Sequence, residues 1–298
     1  MTKFTVRAAV VFAALLCAPL LGGASLSAHA QPPQQQPTPR APKKKLQASS
    51  NFAQYAGRDS SNRLIAGGAT RNLTDPMAAA EAAFKEGNYP EAVKAYKLAI
   101  QRRDAQAQYS LALAYYNLGV VHETAGQNRE AIAAYRRATE SNPDLGVAAR
   151  AYYNLGNVLA AGKKYAEAVA AYQKVAELAP DQHVVYYNIG LAQAAAGQQA
   201  DAIEAFKRSL SLKPDFADAH YNLGLAHWAA EHWDESVAAF REAVRLKPDF
   251  ADAHYNLGLW HLAFEESAGL ETEIKELEKL KPELAAKLRE LSKAGGSQ

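Results

Sequence analysis

Small and apolar residues recur along most of this chain at intervals of three and four. In 217–250, His220, Leu223, Gly224 and His227 are spaced by 3, 1 and 3, which gathers them on one face of a helix. Ser236, Phe240 and Ala243, spaced by 4 and 3, do the same for a second helix. The short stretch Glu231-His232-Trp233-Asp234 links the two, and Pro248 stops the second. The stretch therefore predicts an antiparallel helical hairpin. Alanine is abundant and runs of Val, Ile and Thr are scarce, so the same reading extends to an all-α fold.

The hairpin is repeated. "KPDFADAHYNLGL" stands at 213–225 and again, unchanged, at 247–259. "YNLG" occurs at 116–119, 153–156, 221–224 and 255–258, with "YNIG" at 187–190. From 153 onward the step is 34 residues, and the step from 116 to 153 is 37. A small residue, an aromatic and a proline follow at fixed offsets: Ala131, Tyr135, Pro143; Ala168, Tyr172, Pro180; Ala202, Phe206, Pro214; Ser236, Phe240, Pro248. A period of this length marks stacked repeats, in which each unit buries its apolar face against its neighbours.

Period and marker residues together resemble the tetratricopeptide repeat family. The resemblance implies a right-handed superhelical solenoid of antiparallel helix pairs. About six units fit, at 73–106, 112–145, 149–182, 183–216, 217–250 and 251–284, with insertions at 107–111 and 146–148. The first unit keeps only Gly87, Ala92, Tyr96 and Ala99, and the last puts Leu270 and Ile274 at the small and aromatic positions. Residues 283–293, "ELAAKLRELSK", read as a capping helix with a polar outer face.

Residues 1–30 stand apart. Lys3 and Arg7, an apolar stretch from Ala8 to about Leu21, and Ala28-His29-Ala30 have the layout of a secretory signal peptide cleaved after Ala30. The alternative is an uncleaved N-terminal anchor. Export points to the periplasm of a Gram-negative envelope. Cys17, the only cysteine, lies in this segment behind Leu16, which argues against lipidation. The chain after Ala30 has no thiol, so disulfide and thiolate chemistry are excluded from it. Residues 31–72 carry seven basic residues against Asp59 alone, while 73–298 carry 24 basic against 30 acidic. A Pro/Gln-rich basic tail of disordered composition thus precedes an acidic body. Residues 51–72 contain Phe52, Tyr55, Leu64 and Ile65 and could be a docking element. Export and the acidic body both argue against nucleic acid as a partner. Contact with membrane is expected only through the tail or an uncleaved signal.

No phosphate loop and no nucleophile elbow is present, so the chain reads as a non-enzyme without cofactor. His220 and His227 share a helix, as do His254 and His261, but seven residues span about 10.5 Å. That is too far for one zinc ion with bonds of about 2.0–2.1 Å, and no metal site is expected. The imidazoles are read as packing residues between helices. The resemblance directs attention instead to the first helix of each unit, which lines the concave side in this family. Asn117, Asn154, Asn188, Asn222 and Asn256 recur there, and family members use asparagine at this offset to grip the main chain of an extended peptide. A carboxamide both donates and accepts, which suits backbone recognition. The alternative is that these asparagines tether neighbouring helices. Tyr116, Tyr153, Tyr187, Tyr221 and Tyr255 stand beside them, with Leu191, Leu225, Leu259 and Trp228 further along. Family members that clamp a carboxylate place Lys and Arg on this face. Here Arg150 is the one basic residue at these positions, beside acidic Asp218 and Asp252. The expected partner is a protein or peptide with an apolar segment, and the expected role a scaffold. The runner-up is an assembly protein that self-associates or docks through edges and convex faces.

Overall fold

The structure is a computed structural model and describes residues 76–102, 107–141 and 144–296. The signal segment, the basic tail, residues 73–75 and Pro143 lie outside the described residues. Thirteen α-helices and no strands occur among the described residues: α1 Pro76–Lys85, α2 Tyr89–Arg102, α3 Ala107–Thr124, α4 Asn128–Glu140, α5 Leu145–Ala161, α6 Tyr165–Leu178, α7 His183–Ala195, α8 Gln199–Leu212, α9 Ala217–Ala229, α10 Trp233–Leu246, α11 Ala251–Ala263, α12 Ser267–Leu280 and α13 Pro282–Gly296. The fold is all-α. The chain divides into two compact units, one ending at Ala192 and the other taking up from Gln193, with the division inside α7.

Each hairpin turn is built the same way. After the first helix one residue adopts the left-handed conformation, and the next residue donates back to the carbonyl five positions earlier. Examples are Lys164 N–H to Leu159 C=O at 2.9 Å, Gln127 to His122 at 2.8 Å and Glu266 to His261 at 2.8 Å. A second bond closes the motif, as from Lys163 N–H to Ala160 C=O at 2.9 Å. This double closure satisfies carbonyls that the helix end would otherwise leave open. Glycine fills the left-handed position at three turns, whereas Lys163, Glu231 and Glu265 take it with φ of 60–62° and pay the Cβ penalty of that region.

In the unit up to Ala192, three fully buried tyrosines, Tyr96, Tyr135 and Tyr172, fill the hairpins. Each packs where the facing helix carries a small residue. A Cβ on Gly119 would lie 2.5 Å from the Tyr135 ring, and one on Gly156 would lie 2.5 Å from the Tyr172 ring. The bare glycine therefore admits the ring and sets the crossing. Ala92, Ala131 and Ala168 are fully buried beside these rings. The residues read as insertions are helical: 107–111 begin α3 and 146–148 lie in the first turn of α5. Those two helices have 18 and 17 residues, against 13 for α9 and α11. Asp144 caps α5, its carboxylate accepting from Val147 N–H at 2.9 Å.

The unit from Gln193 repeats the device. Phe240 packs over Gly224, and Ser236, at the small position, donates its hydroxyl to the Gly224 carbonyl at 2.8 Å. At the last hairpin Ile274 and Leu270 are buried, but the side chain against Gly258 is Leu288 of α13. The closing helix thus supplies the apolar contact that an aromatic makes elsewhere. In the duplicated 13-mer, His220 and His254 donate through Nε2 to the carbonyls of Pro214 and Pro248, both at 2.9 Å. This ties the turn that precedes each helix. His254 also presents Nδ1 to the Glu273 carboxylate at 2.6 Å, in a nearly buried pair. With acceptors at both nitrogens, the imidazolium is the form that satisfies both. The bond from Glu273 raises the His254 pKa against the opposing effect of burial.

Three outcomes follow from these contacts. Gly156→Ala is expected to lower stability in urea by about 1–3 kcal/mol, because the added methyl meets the Tyr172 ring. Lys163→Gly is expected to raise it by about 0.5–1 kcal/mol by relieving the left-handed strain. For His254, a pKa raised in the folded state gives stability that is full below the unfolded value of about 6.5 and is lost as pH rises through the folded value. The stability gap between wild type and His254→Gln, measured by denaturation, should therefore be widest at mildly acid pH and narrow on the alkaline side.

Candidate functional site

The tyrosine–asparagine pairs fall on α3, α5, α7, α9 and α11, the first helices of successive hairpins. Their side chains are tied into the stack. In the first unit Asn154 donates through Nδ2 to the Tyr135 hydroxyl at 3.3 Å and lies 3.5 Å from the Tyr116 hydroxyl. Asn188 donates to the Tyr153 hydroxyl at 3.1 Å. In the second unit Asn256 donates to the Tyr221 hydroxyl at 3.1 Å. Each of these bonds runs from one hairpin back to the preceding one. Asn222 donates to the Asp218 carbonyl of its own helix at 2.8 Å. Asn117 is fully buried. Its amide atoms and the Tyr96 hydroxyl lack partners of good hydrogen-bond geometry, and burial raises the Tyr96 pKa, Glu81 adding to the rise and nearby Asn117 opposing it.

Burial sorts the row. Asn117, Asn154, Asn256, Tyr153, Tyr187, Tyr255, Leu259 and Trp228 are all buried. Asn188, Asn222, Tyr116, Tyr221, Leu191 and Leu225 are half-buried and keep surface. Within the first unit the surface-reaching members are Tyr116, Asn188 and Leu191; within the second they are Tyr221, Asn222 and Leu225. Tyr221 packs its ring against Phe240 and Phe250, with centroids 5.8 and 4.7 Å away. Trp228 meets Trp233 edge to face at 5.2 Å. These aromatics are held in place by their neighbours before any partner arrives.

The electrostatics of the row follow from burial. Desolvation pushes Tyr116 up to about 12; Arg150 opposes the rise and Glu123 adds to it. Tyr255 is also pushed up to about 12 by burial. Glu123 accepts from the Tyr135 hydroxyl at 2.6 Å, yet burial outweighs that bond and raises its pKa. The Tyr172 hydroxyl donates to Asn157 Oδ1 at 2.7 Å. Burial thus keeps the Tyr116, Tyr135, Tyr172, Tyr221 and Tyr255 phenols neutral at ordinary pH. The Tyr135 and Tyr172 hydroxyls donate, those of Tyr135 and Tyr221 accept from asparagine, and that of Tyr255 has no partner of good geometry.

Sequence reading passed over two features. The first is the Glu123–Tyr135 bond, for which spacing alone holds no signal because the partners sit on different helices. The second is the contact that the histidine at the end of a first helix makes across the turn. His122 places Nδ1 2.6 Å from Gln127 Oε1, and His261 places Nδ1 2.9 Å from Glu266. The common five-residue separation was visible in the sequence. Both histidines are buried, and the His261 ring packs against Gly269 of α12, in keeping with the expected role between helices; in addition, the two latch their own turns. Among the described residues, no group of three or more His, Cys, Asp or Glu could hold a metal, and no helix is long and apolar enough to cross a membrane.

Comparison with known proteins agrees with this architecture. Family profiles described as tetratricopeptide repeat match residues 76–144 and 116–183, and one described as TPR repeat matches 194–230 and 231–263. No curated protein matches the chain. Among solved structures, the crystal structure of MamA protein is 26% identical, with a TM-score of 0.52 over 59% of this chain and 92% of that one. YrrB, described as a TPR protein with an unusual peptide-binding site, is 23% identical, with a TM-score of 0.54 over 67% of this chain and 100% of its own. PilF of Pseudomonas aeruginosa is 19% identical, with a TM-score of 0.54 over 72% and 95%. With helical hairpins throughout, a ring over a small residue at their crossings, and these matches across most of its described length, the chain belongs to the tetratricopeptide repeat family.

Proposed function

We propose that this protein is a non-enzymatic scaffold of the cell envelope that holds an apolar segment of a partner protein against the first helices of its hairpins. The observation that carries the proposal is that Tyr221, Asn222 and Leu225 keep surface while most of the row is buried. On α9 and its neighbours, Tyr221, Asn222 and Leu225 keep partial exposure on one face. A rigid aromatic, a carboxamide and an aliphatic side chain at that spacing suit an extended chain with apolar side chains. Buried neighbours fix them in advance, which lowers the ordering cost of binding. YrrB, with its peptide-binding site, shows that the family fold admits such use. Export rests on the signal-like layout of residues 1–30.

A second reading has its own observation. Where asparagine donors are engaged by the preceding hairpin, as at Asn154, Asn188 and Asn256, the row serves the stack, and partners could dock on edges or convex faces. Light scattering across a concentration series separates the two. A constant monomer mass supports the scaffold; a mass that rises with concentration favours self-association.

The binding test uses peptides selected from a displayed library on the wild-type protein. The Asn222→Ala/Leu225→Ala variant is expected to bind them about tenfold more weakly or worse, with its helical circular dichroism unchanged. Unchanged affinity would remove this face from the proposal.

A further inference from the structure

One of the turn latches differs from its siblings. At the middle histidine of the series His122, His227 and His261, the residue five positions on is itself a histidine. His227 ends α9, His232 precedes α10, and their Nδ1 atoms lie 3.3 Å apart. The same latch measures 2.6 Å at His122–Gln127 and 2.9 Å at His261–Glu266. The His–His contact is longer than an ordinary N–H···O bond of about 2.7–3.2 Å. It also needs a proton on one Nδ1 and none on the other.

We infer that the His227–His232 turn is a binding site for a divalent transition metal ion of the zinc class. With metal–nitrogen bonds of about 2.0–2.1 Å, two nitrogens 3.3 Å apart subtend about 104–111° at a shared ion, close to the tetrahedral angle. The rings lie 5.5 Å apart between centroids with planes at 50°, so the Nδ1 edges face each other. The torsion that turns an imidazole is soft, and a small rotation brings both lone pairs onto one point. The backbone already fixes the approach, through His232 N–H to His227 C=O at 2.9 Å and Glu231 in the left-handed conformation at φ 62°. The pair is therefore preorganised by the turn, and not by the intrahelical spacing that rules out His220 with His227.

The surroundings favour a cation. Glu231, Asp234 and Glu235 are exposed around the same turn. His227 is buried and His232 exposed, so an ion enters from solvent on the His232 side. Among the described residues no third protein ligand completes a set, so the two imidazoles hold the ion with water in its other positions, one protein ligand fewer than in open catalytic zinc sites. Imidazole donors suit zinc, nickel and copper over magnesium or calcium.

The test is calorimetric titration of ZnCl2 into the protein, prepared without a histidine tag, at pH 7.5, beside His232→Gln and His220→Gln. The first variant copies the His122–Gln127 latch, so it should keep its thermal midpoint while losing one imidazole. Saturable uptake of one ion per chain by wild type and His220→Gln, lost in His232→Gln, is the expected result, with a zinc-dependent rise in melting temperature that disappears in the same variant. Absence of saturable uptake by wild type, or uptake undiminished in His232→Gln, would overturn the assignment.

Discussion

A pair of helices about 34 residues long has more apolar surface than it can bury against itself, so it is stable only beside another pair. Two contacts meet this constraint here. Within a hairpin, a ring lies over a glycine, as Tyr172 lies over Gly156 and Phe240 over Gly224. Between hairpins, an asparagine reaches the preceding unit's tyrosine hydroxyl, as Asn188 reaches Tyr153 and Asn256 reaches Tyr221. The first contact fixes how closely two helices cross. The second is directional, and a hydrogen bond in a half-buried seam holds its register better than apolar contact alone. What remains on the surface for a partner is what these two contacts leave over.

Most of the fold could be read from the residues. The period, the ring-bearing positions and the small positions all returned as buried contacts, because they sit on helices whose 3.6-residue repeat leaves a regular trace. The ends of the repeat series were harder. The residues at 107–111 and 146–148 broke the spacing without breaking helical preference, and they form first turns of α3 and α5. Ile274 and Leu270 looked like a failed ring position; the structure shows Leu288 of α13 against Gly258, a contact across two helices that no local pattern encodes.

The burial of the candidate row was legible in part. The asparagine and tyrosine rows were found, but sequence could not say which members face the solvent, since burial depends on the neighbouring hairpin. Leu225 and Leu259 occupy the same repeat position; the first keeps surface and the second is fully buried. The histidines show the opposite case. Counting along one helix separates His220 from His227, yet the turn brings His227 back onto His232. Partners that meet across a left-handed turn escape any argument from helical periodicity.

The claim that the rows join successive hairpins is tested most directly by a double-mutant cycle on Asn188 and Tyr153, with Asn188→Ala, Tyr153→Phe and the double variant compared by urea denaturation. A coupling energy of about 0.5–1.5 kcal/mol is predicted, the worth of one intramolecular hydrogen bond. Strictly additive losses would contradict the account, and would return both side chains to the surface as candidates for a partner alone.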